Sequence, residues 1–164
     1  MKTINLTQGM VTLVDDQDYE ELSKYKWYAH KTRCAVYAVK NAPIAGGQVM
    51  IHMHRHLLQA STSQQVDHIN SDGLDNRRSN LRFCTTSQNM QNQRKTHGTS
   101  RFKGVCWHKQ RCRWQASIVI NSTFRYLGLF DSQYDAAEAY DIEARNYFGE
   151  FARLNFSTKK EYAK

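Results

Sequence analysis

Asp67 and His68, within Val66-Asp67-His68-Ile69-Asn70, set a carboxylate beside an imidazole, with Asn80 twelve residues after His68 and Asn89 nine further on. Aspartate offers a hard oxygen ligand, and histidine, with an unperturbed pKa of about 6.5, accepts a proton near neutral pH. Together they suit a centre that holds a divalent cation and deprotonates a water next to it. Singly they carry little. An Asp-His pair is common in surface turns, Asn80 in a Ser-Asn-Leu context is an ordinary turn or cap, and Asn89 alone has no meaning. The joint spacing is the signal.

Those side chains need elements to hold them. Residues 71–82 read as a turn-rich loop ending in a short strand, and residues 85–92 carry helix-cap candidates that place Asn89 in a first turn. The order is strand, loop, strand, helix, with a ligand candidate at each end. Upstream, residues 5–14 alternate as one strand, residues 15–18 form a turn and cap, and residues 19–24 give one or two helical turns. Residues 27–30 and 35–39 read as a hairpin, and Gly46-Gly47 turns the chain into a run over 48–55 that reads as a strand or the approach to a helix. His52 and His54 lie on it, and His56 just beyond shares their alternation. His54 reads as structural, and nothing else supports a metal cluster there.

Downstream, residues 102–107, 113–120 and 124–130 read as three short strands, with a tight turn at 120–124. Ser132 and Asp135 are spaced like a capping box ahead of an alanine-rich helix that Gly149 stops, after which residues 153–156 return to the sheet edge. Period-two alternation sends Val105, Trp107, Trp114, Ala116 and Ile118 toward the helix. Cys106, His108, Arg113, Gln115, Ser117, Phe124 and Tyr126 then face outward. The fold class expected is α+β.

Composition bounds the partners. The chain has 164 residues, 40% of them hydrophobic, enough for packed cores in one or two small domains. No run of about 18 apolar residues and no apolar signal core occur, so the expectation is a soluble, cytoplasmic protein that is neither exported nor membrane-bound. Cys34, Cys84, Cys106 and Cys112 are far apart and read as reduced thiols. The net charge is +8, and its placement matters more: residues 76–130 contain no Asp or Glu but hold 11 of the 23 basic side chains. Interleaved with Trp107, Trp114, Phe124 and Tyr126, that run points to a polyanion.

The Asp67-His68, Asp75-Asn76-Arg77, Asn80-Leu81-Arg82 and Asn89 pattern resembles the HNH endonucleases of the phage homing type, in which the last letter is Asn. The resemblance implies a ββα-metal core over about residues 50–95, inside an endonuclease domain of residues 1–95. It implies Asp67 and Asn89 as ligands of Mg²⁺ or Mn²⁺, His68 as general base, Asn80 as the residue that holds the loop, and Arg77, Arg78 and Arg82 as phosphate grips.

Gly104-Val105, Trp114 to Ile118, Leu127 to Phe130, Ala136 to Asp141 and Leu154 to Phe156 are similar to the landmarks of the AP2 DNA-binding domain. This implies a three-stranded antiparallel sheet backed by one helix over residues 101–157, after a basic linker at 96–100. Positions that carry base-reading arginines in that family are Cys106, His108, Val119 and Phe124 here, which weakens any GC-rich specificity. DNA-contact candidates are Arg94, Lys95, Lys103, His108, Lys109, Arg111, Arg113, Gln115, Arg125 and Tyr126. Both modules together resemble mobile AP2/HNH endonucleases. The expected activity is hydrolysis of double-stranded DNA, by a monomer that nicks, a dimer being needed to cut both strands. The competing readings are a non-catalytic DNA-binding regulator with a relic HNH scaffold, and an RNA-binding module.

Overall fold

A computed structural model describes residues 1–93 and 98–156. The fold is α+β, with several small antiparallel sheets and few helices. The chain divides into two compact units, Met1–Asn89 and Met90–Lys164.

In the N-terminal unit, β1 (Lys2–Asn5) and β2 (Val11–Val14) pair antiparallel. The single strand expected over 5–14 is thus two, because Gln8 and Gly9 adopt positive φ of 63° and 69° and fold the chain back. The short helix α1 (Asp16–Leu22) follows, with Asp16 and Asp18 at its favourable N-terminal end. Strands β3 (Tyr28–Lys31), β4 (Val36–Ile44) and β5 (Gly47–His52) form an antiparallel sheet in that order. A one-turn helix, α2 (Met53–Leu57), carries His54 and His56, so the run 48–55 is a strand up to His52 and a helix after it. Val14, Leu22, Trp27, Ala38 and Met53 form the core of this unit.

The candidate motif sits on β6 (Gln65–His68), β7 (Leu81–Cys84) and α3 (Thr86–Asn92). Residues 69–80 link the two strands, and they are pinned rather than loose. Leu13 donates to the Leu74 carbonyl at 2.8 Å and Asn76 N–H donates to the Leu13 carbonyl at 2.9 Å, so the loop adds itself to β2. On the other side, a Cβ on Gly73 would sit 2.3 Å from the Val36 carbonyl oxygen and 2.6 Å from the Tyr37 ring. Only a glycine lets the loop approach β4 that closely.

In the C-terminal unit, β8 (Val105–His108), β9 (Arg113–Ile120) and β10 (Thr123–Phe130) form a sheet in which β9 is central, and α4 (Gln133–Phe148) packs on it. Asn121 and Ser122, both at positive φ, make the tight β9–β10 turn. Ser132 caps α4 by accepting from Tyr134 N–H at 3.1 Å, rather than from Asp135 as a capping box would have it. Ala136, Ala137 and Ala144 are fully buried and let the helix lie close to the sheet. Gly104 has φ +76°, and a Cβ there would fall 1.9 Å from the Tyr140 ring. Asp141 closes the unit by accepting from the Asn155 and Phe156 amides, at 2.8 and 2.9 Å.

Candidate active site

Pairing of β6 with β7 sets Asp67 opposite Arg82 and His68 opposite Leu81. Asp67 Oδ2 accepts from Arg82 Nη2 at 2.9 Å and from Nε at 3.2 Å, with both side chains largely buried. Asn80 closes the loop on itself. Its Oδ1 accepts from the Asn70 amide at 3.0 Å, and its Nδ2 donates to the Asp75 carbonyl at 2.8 Å and to Asn70 Oδ1 at 3.0 Å. Asn89, on α3, turns its Nδ2 to Gln65 Oε1 at 3.5 Å. Gln65 lies two residues before Asp67 on the same face of β6, so helix and strand meet beside the carboxylate.

His68 is buried, and its Nε2 lies 3.3 Å from Asn76 Oδ1. Which way that bond runs follows from what lies behind it. Thr12 Oγ1 donates to the Leu74 carbonyl at 2.7 Å, so its lone pair is left for Asn76 Nδ2, which donates to it at 2.7 Å. Asn76 Nδ2 also reaches the Gly73 carbonyl at 3.4 Å. The amide is therefore oriented with its oxygen toward His68, and Nε2 must carry the hydrogen, which leaves the imidazole lone pair on Nδ1. Burial holds the His68 pKa below its ordinary value. The Asn76 bond and the carboxylates of Asp67, Asp72 and Asp75 offset this in part. At neutral pH the ring is an uncharged base.

More histidines adjoin it than the motif requires. The His54 ring stands T-shaped to His68 at 4.8 Å, His52 is 5.2 Å from His54, and Tyr37 lies 5.6–6.0 Å from all three. His54 Nδ1 is buried with no hydrogen-bond partner, and burial drives its pKa down to about 3.

An HNH endonuclease family model matches residues 62–91, the stretch that holds β6, the pinned loop, β7 and most of α3. Over 154 residues the chain is 29% identical to an uncharacterised HNH endonuclease of Acanthamoeba polyphaga mimivirus, covering 90% of this chain and 76% of that protein. It is also 43% identical over 67 residues to the AP2-like ethylene-responsive transcription factor AIL5 of Arabidopsis thaliana, and 44% identical over 63 residues to CRL5 of Oryza sativa subsp. japonica. The chain joins an HNH segment to an AP2-like one. It spans only 12% and 10% of those two plant proteins' lengths.

Around the HNH segment, the three arginines expected at phosphates all have carboxylate partners within the protein. Arg77 is bidentate on Asp75 at 2.6 and 2.7 Å, Arg78 reaches Asp18 at 2.8 Å, and Arg82 holds Asp67. Arg77 in turn keeps the Asp75 carboxyl below the usual carboxylate range. In the AP2-like segment, Lys103 is turned inward. Its ammonium donates to the carbonyls of Gln91, in the last turn of α3, and Gln93, just beyond it, and burial lowers its pKa to about 8. Arg125 pairs with Ile118, a helix-side residue, and donates to Tyr147 Oη of α4 at 2.5 Å, so it points away from the open face. Arg113 is on the open face but bidentate on Asp131 at 2.7 and 2.8 Å. His108 Nδ1 accepts from the Arg111 amide at 3.3 Å, and Gln115 is half-buried. Lys109, Arg111 and Tyr126 are exposed. Arg94 and Lys95, and residues 96 and 97 of the expected linker, lie outside the described residues.

The open face differs from expectation at its edge. Val105, Ala116 and Ile118 are buried under α4, whereas Trp107 is 37% exposed on edge strand β8, edge-on to Trp114 at 5.0 Å. Cys106, Val119, Phe124 and Tyr126 stand in solvent.

The residues expected as metal ligands offer the Asp67 carboxylate, which Arg82 holds, and the Asn89 amide. Among the described residues no three His, Cys, Asp or Glu side chains cluster as ligands. Mg²⁺ is commonly held by one or two protein oxygens, with waters and substrate phosphate oxygens completing the octahedron. By donor chemistry these two residues fit a hard cation and fit a soft, all-protein zinc cage poorly. Sequence reasoning missed Asn76, Thr12 and Gln65 as the residues that orient this site. Asn76 lay inside the quoted motif, but Thr12 is 64 residues from it and no local pattern points there.

Proposed function

We propose that this protein is a metal-dependent DNA endonuclease, with residues 1–95 cutting and residues 101–157 targeting duplex DNA. The observation that carries the reading is the oriented chain from the Leu74 carbonyl through Thr12 and Asn76 to His68, which leaves a neutral histidine with its lone pair on Nδ1. A general base needs that state near neutral pH. Asp67 and Asn89 would hold a divalent cation, which would supply charge to polarise the scissile phosphate. His68 Nδ1 takes the proton of the attacking water, and Asn80 holds the loop so that the ring keeps its aim. In the AP2-like segment, Lys109, Arg111, Gln115 and Tyr126 meet DNA directly. Arg113 joins them by exchanging Asp131 for phosphate, since that pair is exposed and contributes little in water. A single site of this kind cuts one strand, so the monomer nicks.

The test is plasmid nicking with Mg²⁺ by wild type and His68→Ala. Loss of the base should slow cutting roughly 10²–10⁴-fold with duplex affinity changed only a few-fold. Nicking by His68→Ala at the wild-type rate would remove His68 from this role, and full wild-type activity in EDTA would remove the metal. A non-catalytic DNA-binding reading draws on one observation, the Asp67 carboxylate already held by Arg82. It expects the same duplex binding and no nicking in any divalent cation.

A further inference from the structure

The open face of the AP2-like sheet divides into a cationic end and an apolar end. Strand register defines that face. Gln115 pairs with Cys106, Ser117 with Tyr126 and Val119 with Phe124, so these residues share one side of the sheet. Ala116, Ile118 and Ile120 on the other side are buried against α4. Val119, Phe124 and Tyr126 are 58%, 59% and 56% exposed and adjoin one another across the β9–β10 ladder. Arg113 opens β9 at the opposite end, next to the exposed Lys109 and Arg111 of the β8–β9 turn. Arg125 turns to Tyr147 of α4, so among the described residues no cation stands in the middle of the face.

An apolar side chain finds one kind of partner in the major groove, which is wide enough to admit a two-stranded ribbon. Base-pair edges there present hydrogen-bond donors and acceptors, and the C5-methyl group of thymine is the apolar exception. Guanine calls for a cationic fork at its O6 and N7, which the middle of this face lacks. Gln115 has a neutral amide whose donor and acceptor suit adenine N6 and N7. From Gln115 to Val119 is roughly 13 Å of strand, the length of about four base steps.

We propose that this face selects A·T-containing sites. Val119 and Phe124 pack on thymine methyl groups in the major groove, and Gln115 hydrogen-bonds adenine. Lys109, Arg111 and Arg113 hold phosphates at the other end, where they add affinity without reading sequence. Selection of this kind rests on the duplex-targeting reading of residues 101–157, and names what that segment reads. Each buried methyl group contributes about fourfold in affinity, so two contacts give about 15-fold.

The experiment uses the full chain in EDTA, where cutting plays no part. Sites are selected from a random duplex pool. Affinity for the selected site is then compared with that for the same site carrying deoxyuridine in place of thymidine, which removes only the C5-methyl groups. Wild type should select thymine in the core of the site and lose about 4- to 15-fold on the change to uracil. Val119→Thr with Phe124→Gln should bring that ratio near one and leave the slope of log affinity against log salt unchanged, because no cation is removed. Both positions are exposed, and thermal melting checks that the variant is folded. A G·C core, or equal wild-type affinity for the two duplexes, would overturn the proposal and leave duplex targeting standing. A uracil loss that the double variant retains would overturn it too, by placing the methyl contacts elsewhere. Gln115→Ala should relax the preference for adenine, and a preference left intact would overturn that half of the readout. Failure of the wild type to bind duplex at any salt concentration would remove the targeting reading as well. Self-association that the double variant abolishes, with duplex affinity unchanged, would overturn the proposal by making a second copy of this chain the occupant of the face.

Discussion

Thr12→Val tests the idea that a hydroxyl on β2, outside the HNH segment, decides which nitrogen of His68 is the base. Valine keeps the shape of threonine and removes the donor to the Leu74 carbonyl together with the acceptor for Asn76 Nδ2. Thr12 and Asn76 are wholly buried, so each group left unpaired costs about 1–3 kcal/mol. The remaining Nδ2 contact, to Gly73 at 3.4 Å, is too long to fix the amide by itself. With its anchor gone, Asn76 can turn over and present Nδ2 to His68, and the imidazole must then put its lone pair on Nε2 and its hydrogen on Nδ1. The base is lost without any change in the His68 side chain. In a serine protease triad the wrong histidine tautomer costs about 10⁴ in kcat; a mixture of tautomers here should cost about 10–10³. The assays are single-turnover nicking at a temperature well below the melting point and ¹⁵N NMR of the His68 ring. Wild-type nicking with the hydrogen still on Nε2 would refute the reasoning, and so would normal nicking with the hydrogen on Nδ1.

Other outcomes follow from the same geometry. Arg82→Met leaves the Asp67 carboxylate buried without its partner and should cost about 3–5 kcal/mol; Mg²⁺ should then raise its melting temperature more than that of wild type, in which the cation competes with a guanidinium. Equal Mg²⁺ effects in calorimetry would count against Asp67 as a ligand. His54, with its folded pKa depressed to about 3, stays neutral where an unfolded histidine takes a proton below about pH 6.5. The unfolded state therefore gains protons first, and acid denaturation of the N-terminal unit should lose roughly 1.4 kcal/mol per pH unit from this group below that point, a slope that His54→Leu removes. Lys103→Ala should leave the salt slope of DNA binding unchanged, whereas Lys109→Gln with Arg111→Gln should flatten it by about 1.8. Gly104→Ala should lower the urea midpoint of the AP2-like unit without altering the nicking rate on non-specific plasmid, because its Cβ meets the Tyr140 ring.

The parts of the fold legible in the sequence are those fixed by short-range chemistry. Asn121-Ser122 gave the β9–β10 turn, Gly149 ended α4, Gly46-Gly47 joined β4 to β5, and alternation put Ala116 and Ile118 under the helix. The strand, loop, strand, helix order around Asp67, His68, Asn80 and Asn89 was legible because each step is local. Misreadings came where distant chain decides. One strand was expected at 5–14, because a left-handed Gln8 has no composition signal, and the run 48–55 left strand and helix open because it fits both periods.

Charge was the least legible quantity, since a sequence displays ionic groups but not their partners. The acid-free run 76–130 predicted a cationic surface, yet Arg77, Arg78 and Arg82 meet Asp75, Asp18 and Asp67, and Arg113 meets Asp131 just beyond the run. Arg78 and Asp18 are 60 residues apart, out of reach of any local rule. Asp67 and Arg82 were within reach, because a hairpin that puts His68 opposite Leu81 must put its neighbours opposite each other. These pairs take up four of the run's arginines. Lys109 and Arg111, at the tip of the β8–β9 hairpin, are exposed and have no ion pair among the described residues, and the same holds for Lys24, Lys26, Lys31 and Arg33, which the run 76–130 does not include. Because a paired guanidinium must give up its carboxylate before it gains a phosphate, Lys109 and Arg111 should contribute more to the salt dependence of DNA binding than Arg77, Arg78, Arg82 or Arg113.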